Sequence, residues 1–322
     1  MKYLSIILTL TIALGFTFAR CDSTGPDEPD KPDGPDVVEV SAVHDVETDE
    51  HLFDLATDEV PSGWTTFRFD NQGHRPHFLI LEKMPTADGD QKTVEDSKAE
   101  VVPVFQNIMD DINGEDPSFP DAGFELPEWY SDVAFVGGPG ITSPGETSET
   151  TVNLEPGTYV VECYVKTEDG TFHSVKNMIE GLTVTEASNG ASAPPESSLQ
   201  LTVSSNDGII VDGAISGPGE HTVEVTFADQ TAYAHFLGHD VHLARLDDGT
   251  DMDALGAWMN WAAPGGLAGE APTPFLGGAQ DMPGGSTTYL NVDLQAGEYA
   301  WIAEVPNPDE KGMLKTFTVP SE

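Results

Sequence analysis

The chain has 322 residues, 38% of them hydrophobic, which is enough for two domains with cores and argues against a wholly disordered protein. Its formal net charge is −43, from 56 acidic and 13 basic residues, which argues against nucleic acid and anionic membrane surfaces as partners. So acidic a surface suits a high-salt, halophilic habitat, where ions screen the repulsion between like charges.

The first 20 residues have the pattern of a signal peptide for export. A basic residue precedes an apolar run over 4–18, which is too short, and too soon followed by polar residues, to predict a membrane span. Cys21 stands where a bacterial lipoprotein carries its lipidated cysteine, and the segment resembles such a signal, although Arg20 departs from the usual small residue. A Pro/Asp-rich tether follows. We expect an exported protein that meets the membrane only through a lipid anchor on Cys21, with an ordinary cleaved signal as the alternative.

Alternation of apolar and polar residues predicts β-strands through the rest of the first half. One such run, 64–69, leads through a turn into a buried strand at 77–81. Residues 101–112 instead repeat apolar side chains at helical spacing, and Gly114 ends this predicted helix, which we interpret as an insertion packed on a β-barrel. Further strands are predicted at 37–43, 51–55, 133–135, 147–154 and 158–165.

The segment 156–184, PGTYVVECYVKTEDGTFHSVKNMIEGLTV, carries the chemistry of the chain. Alternation along its first strand turns Cys163 towards the core, and His173 and Met178 follow before the closing strand. A thiolate, an imidazole and a thioether are ligand types of a blue-copper site, which also needs a second imidazole. His77, at the end of NQGHRPH, offers it.

These two segments resemble the cupredoxins of the plastocyanin and azurin kind, in which an N-x-G-x-x-P-H-like segment gives the first histidine and a PGTYxxxC…H…M ending gives the rest. The resemblance implies an all-β fold of two Greek-key β-sandwich domains, each with a small helical insertion. It implies one type 1 copper, held by His77, Cys163 and His173 in a plane and by Met178 as the weak axial ligand. The sequence departs from the family in its Cys-to-His loop, which is longer here.

Other chemistry for these residues is less favoured. His74 is an alternative to His77, although we interpret it as a surface turn residue. One Cys, two His and a Met make a poor structural zinc set. A nucleophilic Cys163–His173 pair lacks an orienting partner and an oxyanion loop, and no His-x-His pairs of the trinuclear-cluster type occur, so no enzyme is predicted.

The second half repeats the pattern of the first after a small, polar linker. The interval from Phe135 to Tyr159 equals that from Phe275 to Tyr299, which indicates an internal duplication. Ala303 then stands at the place of the thiolate, so this copy is predicted to have lost its copper. One residue of a histidine cluster is expected to be the relic of the first ligand: His235, His239 or His242.

The predicted organisation is a signal peptide, a tether, a copper-binding domain, a linker and a degenerate domain, at 1–20, 21–37, 38–186, 187–198 and 199–322. The predicted function is single-electron transfer to or from a redox partner protein in the periplasm or at the cell surface. Copper storage or delivery, and a metal-free interaction module, are the alternatives.

Overall fold

The computed structural model describes residues 35–194, 197–233 and 238–321. The predicted signal peptide, Cys21 and His235 lie outside the described residues. The prediction of an all-β fold with a small helical insertion in each half is confirmed. No helix among the described residues has the length and hydrophobicity needed to cross a bilayer.

From residue 35 onward, the first half contains ten strands and two α-helices, with a short 3-10 helix at Glu128–Asp132. The strands are β1 (Asp36–Asp45), β2 (Glu50–Leu55), β3 (Glu59–Asn71), β4 (Ile80–Lys83), β5 (Thr86–Ala87), β6 (Asp90–Gln91), β7 (Ala134–Phe135), β8 (Thr147–Leu154), β9 (Gly157–Glu162) and β10 (Ile179–Ser188). The helices are α1 (Val94–Glu100) and α2 (Val102–Asn113).

The second half continues with strands and one short helix, α3 (Met252–Trp258). Its strands are β11 (Leu199–Ser204), β12 (Gly208–Gly213), β13 (Gly219–Phe227), β14 (Val241–Leu246), β15 (Phe275–Ala279), β16 (Thr287–Leu294), β17 (Gly297–Ile302) and β18 (Leu314–Val319).

One large sheet runs through both halves. It contains β1 and β2 and the path β12-β11-β13-β16-β8-β3-β10-β9-β4-β7, and it passes between the halves where β16 pairs antiparallel with β8. A second sheet has the order β15-β14-β17-β18. Inward-facing apolar residues of these strands form the buried cores.

The segments after β7 and in β15 lie antiparallel to one another and bond reciprocally. The Gly137 N–H donates to the Asp281 carbonyl at 3.1 Å, and the Gly277 N–H donates to the Ile141 carbonyl at 2.8 Å. Gly138 is in the left-handed region, with φ 124°, and a Cβ there would lie 2.2 Å from the Leu79 carbonyl oxygen. Only glycine allows so close a backbone approach.

The predicted strand ends differ near the histidine and cysteine segments. The strand predicted at 77–81 begins only at Ile80, because His77 pairs with Thr142 through an isolated bridge. The strand predicted at 158–165 ends at Glu162, so Cys163 is the first residue after β9. Helix α1 was not predicted, although its Thr93 and Asp96 form a capping box.

Candidate metal centre

Three of the four predicted ligands meet at one point in the core. The Nδ1 atoms of His77 and His173 are 3.0 Å apart, and each lies 3.8 Å from the Cys163 sulfur. Metal–nitrogen and metal–sulfur distances of about 2.0 and 2.3 Å, as for zinc, would put ligands of a trigonal plane roughly 3.5 and 3.7 Å apart. All three side chains are 0% exposed. Their spacing therefore fits a single ion without large movement.

Met178, the fourth predicted ligand, is fixed to the other three through its backbone. Its N–H donates to the His173 carbonyl at 2.9 Å, and its carbonyl accepts from the Cys163 N–H at 3.1 Å. The side chain is fully buried in the same apolar cluster as Cys163. These contacts hold Met178 next to Cys163 and His173.

The turn before His77 is shaped by the amide of Asn71. Its oxygen accepts from the Gly73 N–H at 3.0 Å, and its Nδ2 donates to the carbonyls of Arg75 and Thr142 at 2.8 and 2.7 Å. The backbones of His77 and Thr142 then exchange two hydrogen bonds. The Asn71 side chain thus stabilises the turn by replacing backbone hydrogen bonds, a role for which asparagine is suited.

The long loop between Cys163 and His173 folds into a small hairpin that closes on itself. The Thr167 N–H donates to the Thr171 carbonyl, and the His173 N–H donates to the Val165 carbonyl, both at 2.8 Å. The additional residues therefore project as a separate turn. The hairpin brings His173 back beside Cys163 despite the length of the loop between them.

Both helical insertions hold this hairpin. From α2, Gln106 Oε1 accepts from the Phe172 N–H at 2.9 Å. From the second half, the Trp261 ring stacks on Phe172 with 5.7 Å between centroids, and its carbonyl accepts from Lys166 Nζ at 3.0 Å. The Leu267 carbonyl accepts from the Lys166 N–H at 2.8 Å. The insertion that we predicted as helix packing thus supports this hairpin. We call residues 163–178, which contain the hairpin and three of the predicted ligands, the ligand loop.

Burial keeps the three groups neutral when no metal is bound. Desolvation lowers the pKa of His77 and of His173 well below the usual value, so both imidazoles stay unprotonated at neutral pH. Desolvation raises the pKa of the Cys163 thiol to about 12. The thiol therefore retains its proton until a cation takes its place.

We expect copper binding to release one proton, from Cys163. Below the thiol pKa, the affinity for copper should rise by about one log unit per pH unit between about pH 7 and about pH 8, since the imidazoles are already neutral there. Competition titrations against a chelator at several pH values measure this slope. In the metal-free protein the same thiol should resist a thiol reagent until the chain unfolds. A slope near zero, with a reactive thiol, would contradict the assignment.

Two histidines near the centre were missed by the sequence analysis. His51 is 2% exposed, and its ring stacks on His173 with 4.1 Å between centroids and 24° between planes. One nitrogen each of His51, His77 and His173 lies within 4.8 Å of the others. His44 pairs directly across from His51 between β1 and β2. The H-x6-H spacing across a tight hairpin is the signal in the sequence.

His74, the alternative first ligand, is exposed and contacts the ring of His44 at 4.2 Å between centroids. It does not contact Cys163, whose imidazole partners are His77 and His173. The geometry thus favours His77 over His74 as the ligand.

The second half has the same backbone arrangement with different side chains. The Ala303 N–H donates to the Met313 carbonyl at 3.0 Å, as Cys163 does to Met178, and the Met313 N–H donates to the Pro308 carbonyl at 2.7 Å, as Met178 does to His173. Ala303 and Pro308 thus occupy the positions of the thiolate and of the second imidazole.

Of the second-half histidines, His239 takes the position of His77. The pairing of His242 with Ile302 corresponds to that of Ile80 with Glu162, which places His239 three residues before, like His77. Its Nε2 donates to the Asp229 carbonyl at 2.8 Å.

His242 lies in a buried group with Asp240 and Glu304. Its Nδ1 accepts from the Ile141 N–H at 3.0 Å, so Nε2 carries the proton and donates to Asp240 at 2.7 Å. Neither nitrogen of His242 is left to bind a metal, and its role here is structural.

A pocket of about 60 Å³ lies beside the ligand loop, lined by apolar and aromatic side chains together with three carboxyl groups. Glu82 and Glu162 line it, and desolvation raises the pKa of both carboxyls, with their mutual interaction adding to the effect on Glu82. Desolvation, and then the charge of Asp240, raises the pKa of Asp281 to about 7. Burial thus disfavours the charged form of these three carboxyl groups.

No protein-family model matches the chain, and no curated protein sequence matches it. Among solved structures it is similar to a dithionite-reduced auracyanin from the photosynthetic bacterium Roseiflexus castenholzii, at 21% identity and TM-score 0.28, over 47% of this chain and 98% of that one. Auracyanin A, a "blue" copper protein from the green thermophilic photosynthetic bacterium Chloroflexus aurantiacus, matches at 24% identity and TM-score 0.27, over 47% of this chain and 100% of its own.

A multicopper oxidase matches over 89% of this chain and 90% of its own, at 12% identity and TM-score 0.26.

Proposed function

We propose that this chain is a single-electron carrier with one type 1 copper, bound by His77, Cys163, His173 and Met178. The observation that carries the proposal is the buried triangle of two Nδ1 atoms and one sulfur. Thiolate, imidazole and thioether are soft and borderline ligands that suit both Cu(I) and Cu(II). When bound, the copper supplies a reversible one-electron couple.

The residues of the chain set the conditions for that couple. Complete burial of the ligands excludes water from the centre, and neutral imidazoles are ready to bind. The hairpin held by Gln106 and Trp261 restrains His173. A restrained ligand set needs little rearrangement when an electron arrives or leaves.

We further infer an internal duplication, with the second copy serving as a scaffold without copper. The reciprocal hydrogen bonds of Gly137 and Gly277 support it, as do the matching backbone contacts of Cys163 and Ala303. Export, the lipid on Cys21 and a redox partner protein in the cell envelope also belong to this proposal. Export and the lipid rest on the N-terminal sequence pattern, and the redox partner follows from the proposed electron transfer.

Voltammetry of the copper-loaded protein tests the proposal. We expect one reversible one-electron wave with fast electron exchange. Tight copper binding without a reversible wave would instead favour copper storage or delivery, and no copper binding would favour a metal-free interaction module.

A further inference from the structure

Three more histidines lie between the buried centre and solvent: His44, His51 and His74. His74 is exposed, the His44 side chain is 13% exposed, and His51 is 2% exposed. The three therefore form a series from the surface inwards. We call them the outer histidines.

The outer histidines are spaced like ligands of one ion. Their ring centroids are 4.9 Å apart for His44 and His51, 4.2 Å for His44 and His74, and 5.7 Å for His51 and His74. Imidazoles that share an ion at metal–nitrogen distances of about 2.0–2.1 Å have centroids roughly 4.5–5.5 Å apart. The ring nitrogens of the three residues do not all face one point in this structure. Because His74 is exposed, its ring can rotate to bring a nitrogen towards the other two.

Two ring nitrogens in this group are buried without a partner. Nδ1 of His44 and Nδ1 of His51 have no hydrogen bond. A buried polar atom without a partner costs about 1–3 kcal/mol, so such atoms are rare unless they bind something. A borderline transition-metal ion is the ligand that imidazole nitrogens suit.

The hairpin that carries His44 and His51 is fastened to the ligand loop. The His51 N–H donates to the Lys176 carbonyl at 2.9 Å, and Lys176 Nζ forms an ion pair with Asp49 at 2.9 Å. Lys176 lies between His173 and Met178 in the sequence. The outer histidines thus keep a fixed position relative to the predicted copper centre.

We propose that the outer histidines form a second copper-binding site, which captures copper at the surface and passes it to the buried centre. This inference rests on the proposed function, since the centre has no exposed ligand of its own. In the transfer, copper keeps its oxidation state. Its bonds to the outer imidazoles break, bonds to Nδ1 of His77 and His173 and to the sulfur form, and the thiol proton leaves to solvent.

The test uses the double substitution His44→Leu with His74→Leu, which leaves His51 in place against His173. His221→Leu is the matched control, because His221 is a partly exposed histidine of the second half. We expect Cu(II) to give the thiolate-to-copper band at least tenfold more slowly in the double variant, with an unchanged final spectrum. The control should load at the wild-type rate. Equal rates in all three proteins would overturn the inference and leave the proposed function intact.

A second measurement is independent of the blue centre. In Cys163→Ser protein, paramagnetic resonance and metal analysis should show Cu(II) bound at the outer histidines, and this copper should disappear when His44→Leu and His74→Leu are added. If Cys163→Ser protein binds the same amount of Cu(II) with and without those two changes, the second site does not exist.

Discussion

Replacing Cys163 by serine is expected to abolish an intense visible absorption band that Cu(II) gives with the wild-type protein. The band arises from charge transfer between thiolate and copper, so it cannot survive without the sulfur. The variant should lose no more than about 1–3 kcal/mol of stability, because the buried serine hydroxyl would keep the two imidazoles and the backbone of Phe78 and Val165 as hydrogen-bonding neighbours. Spectra during Cu(II) titration and denaturant unfolding of the metal-free proteins measure the two effects.

The second half offers a control for this experiment. Ala303→Cys places a thiol at the position that corresponds to Cys163, where Pro308 replaces the second imidazole. We expect no second blue centre in that variant. If wild-type protein gave no band and kept its thiol unreactive until unfolding, Cys163 would be a structural core residue and the chain an interaction module.

Phe172→Ala should have the next largest effect. Phe172 is 1% exposed and stacks on Trp261, and cutting back a buried phenylalanine costs about 3–5 kcal/mol. Because Phe172 precedes His173, the ligand loop should also loosen and the copper band should shift or weaken. Denaturant unfolding and the copper spectrum of the variant report these two changes.

Phe124→Ala is the matched control, since that phenylalanine is 52% exposed. A surface truncation of this kind is expected to change stability by no more than about 0.5 kcal/mol. A similar loss in both variants would show that Phe172 does not anchor the loop.

The strands and the long helix could be predicted because their signal is local. Alternation of apolar and polar residues predicts β3 and β8, and apolar residues at helical spacing predict α2. Neither pattern depends on distant parts of the chain. Cys163 was expected to face the core and does. Its departure from the strand could not be predicted, because β9 ends where its pairing with β4 and β10 ends, and that pairing is not local.

The candidate site was predictable in part for the same reason. His77, Cys163 and His173 stand in recognisable motifs, and the structure brings them together. The hairpin in the ligand loop is held by Trp261 and Leu267, which lie about 90 to 100 residues further along the chain. Local sequence patterns cannot predict contacts over such a separation. His51 lies against His173 through equally distant contacts, the pairing of β2 with β1 and the hydrogen bond from its N–H to the Lys176 carbonyl.

The contacts of Lys166 with Trp261 and Leu267 also bear on why the second half persists. If the second half is a copy without copper ligands, as we propose, it would be expected to diverge freely unless it also served the first half. Here the second half bonds to the loop that carries the predicted ligands, so a destabilising substitution in either half should also affect the other. Selection on the proposed redox centre would therefore extend to residues that do not contact the metal. A shortened chain that ends before the second half should be less stable and bind copper less tightly, although it keeps all four predicted ligands.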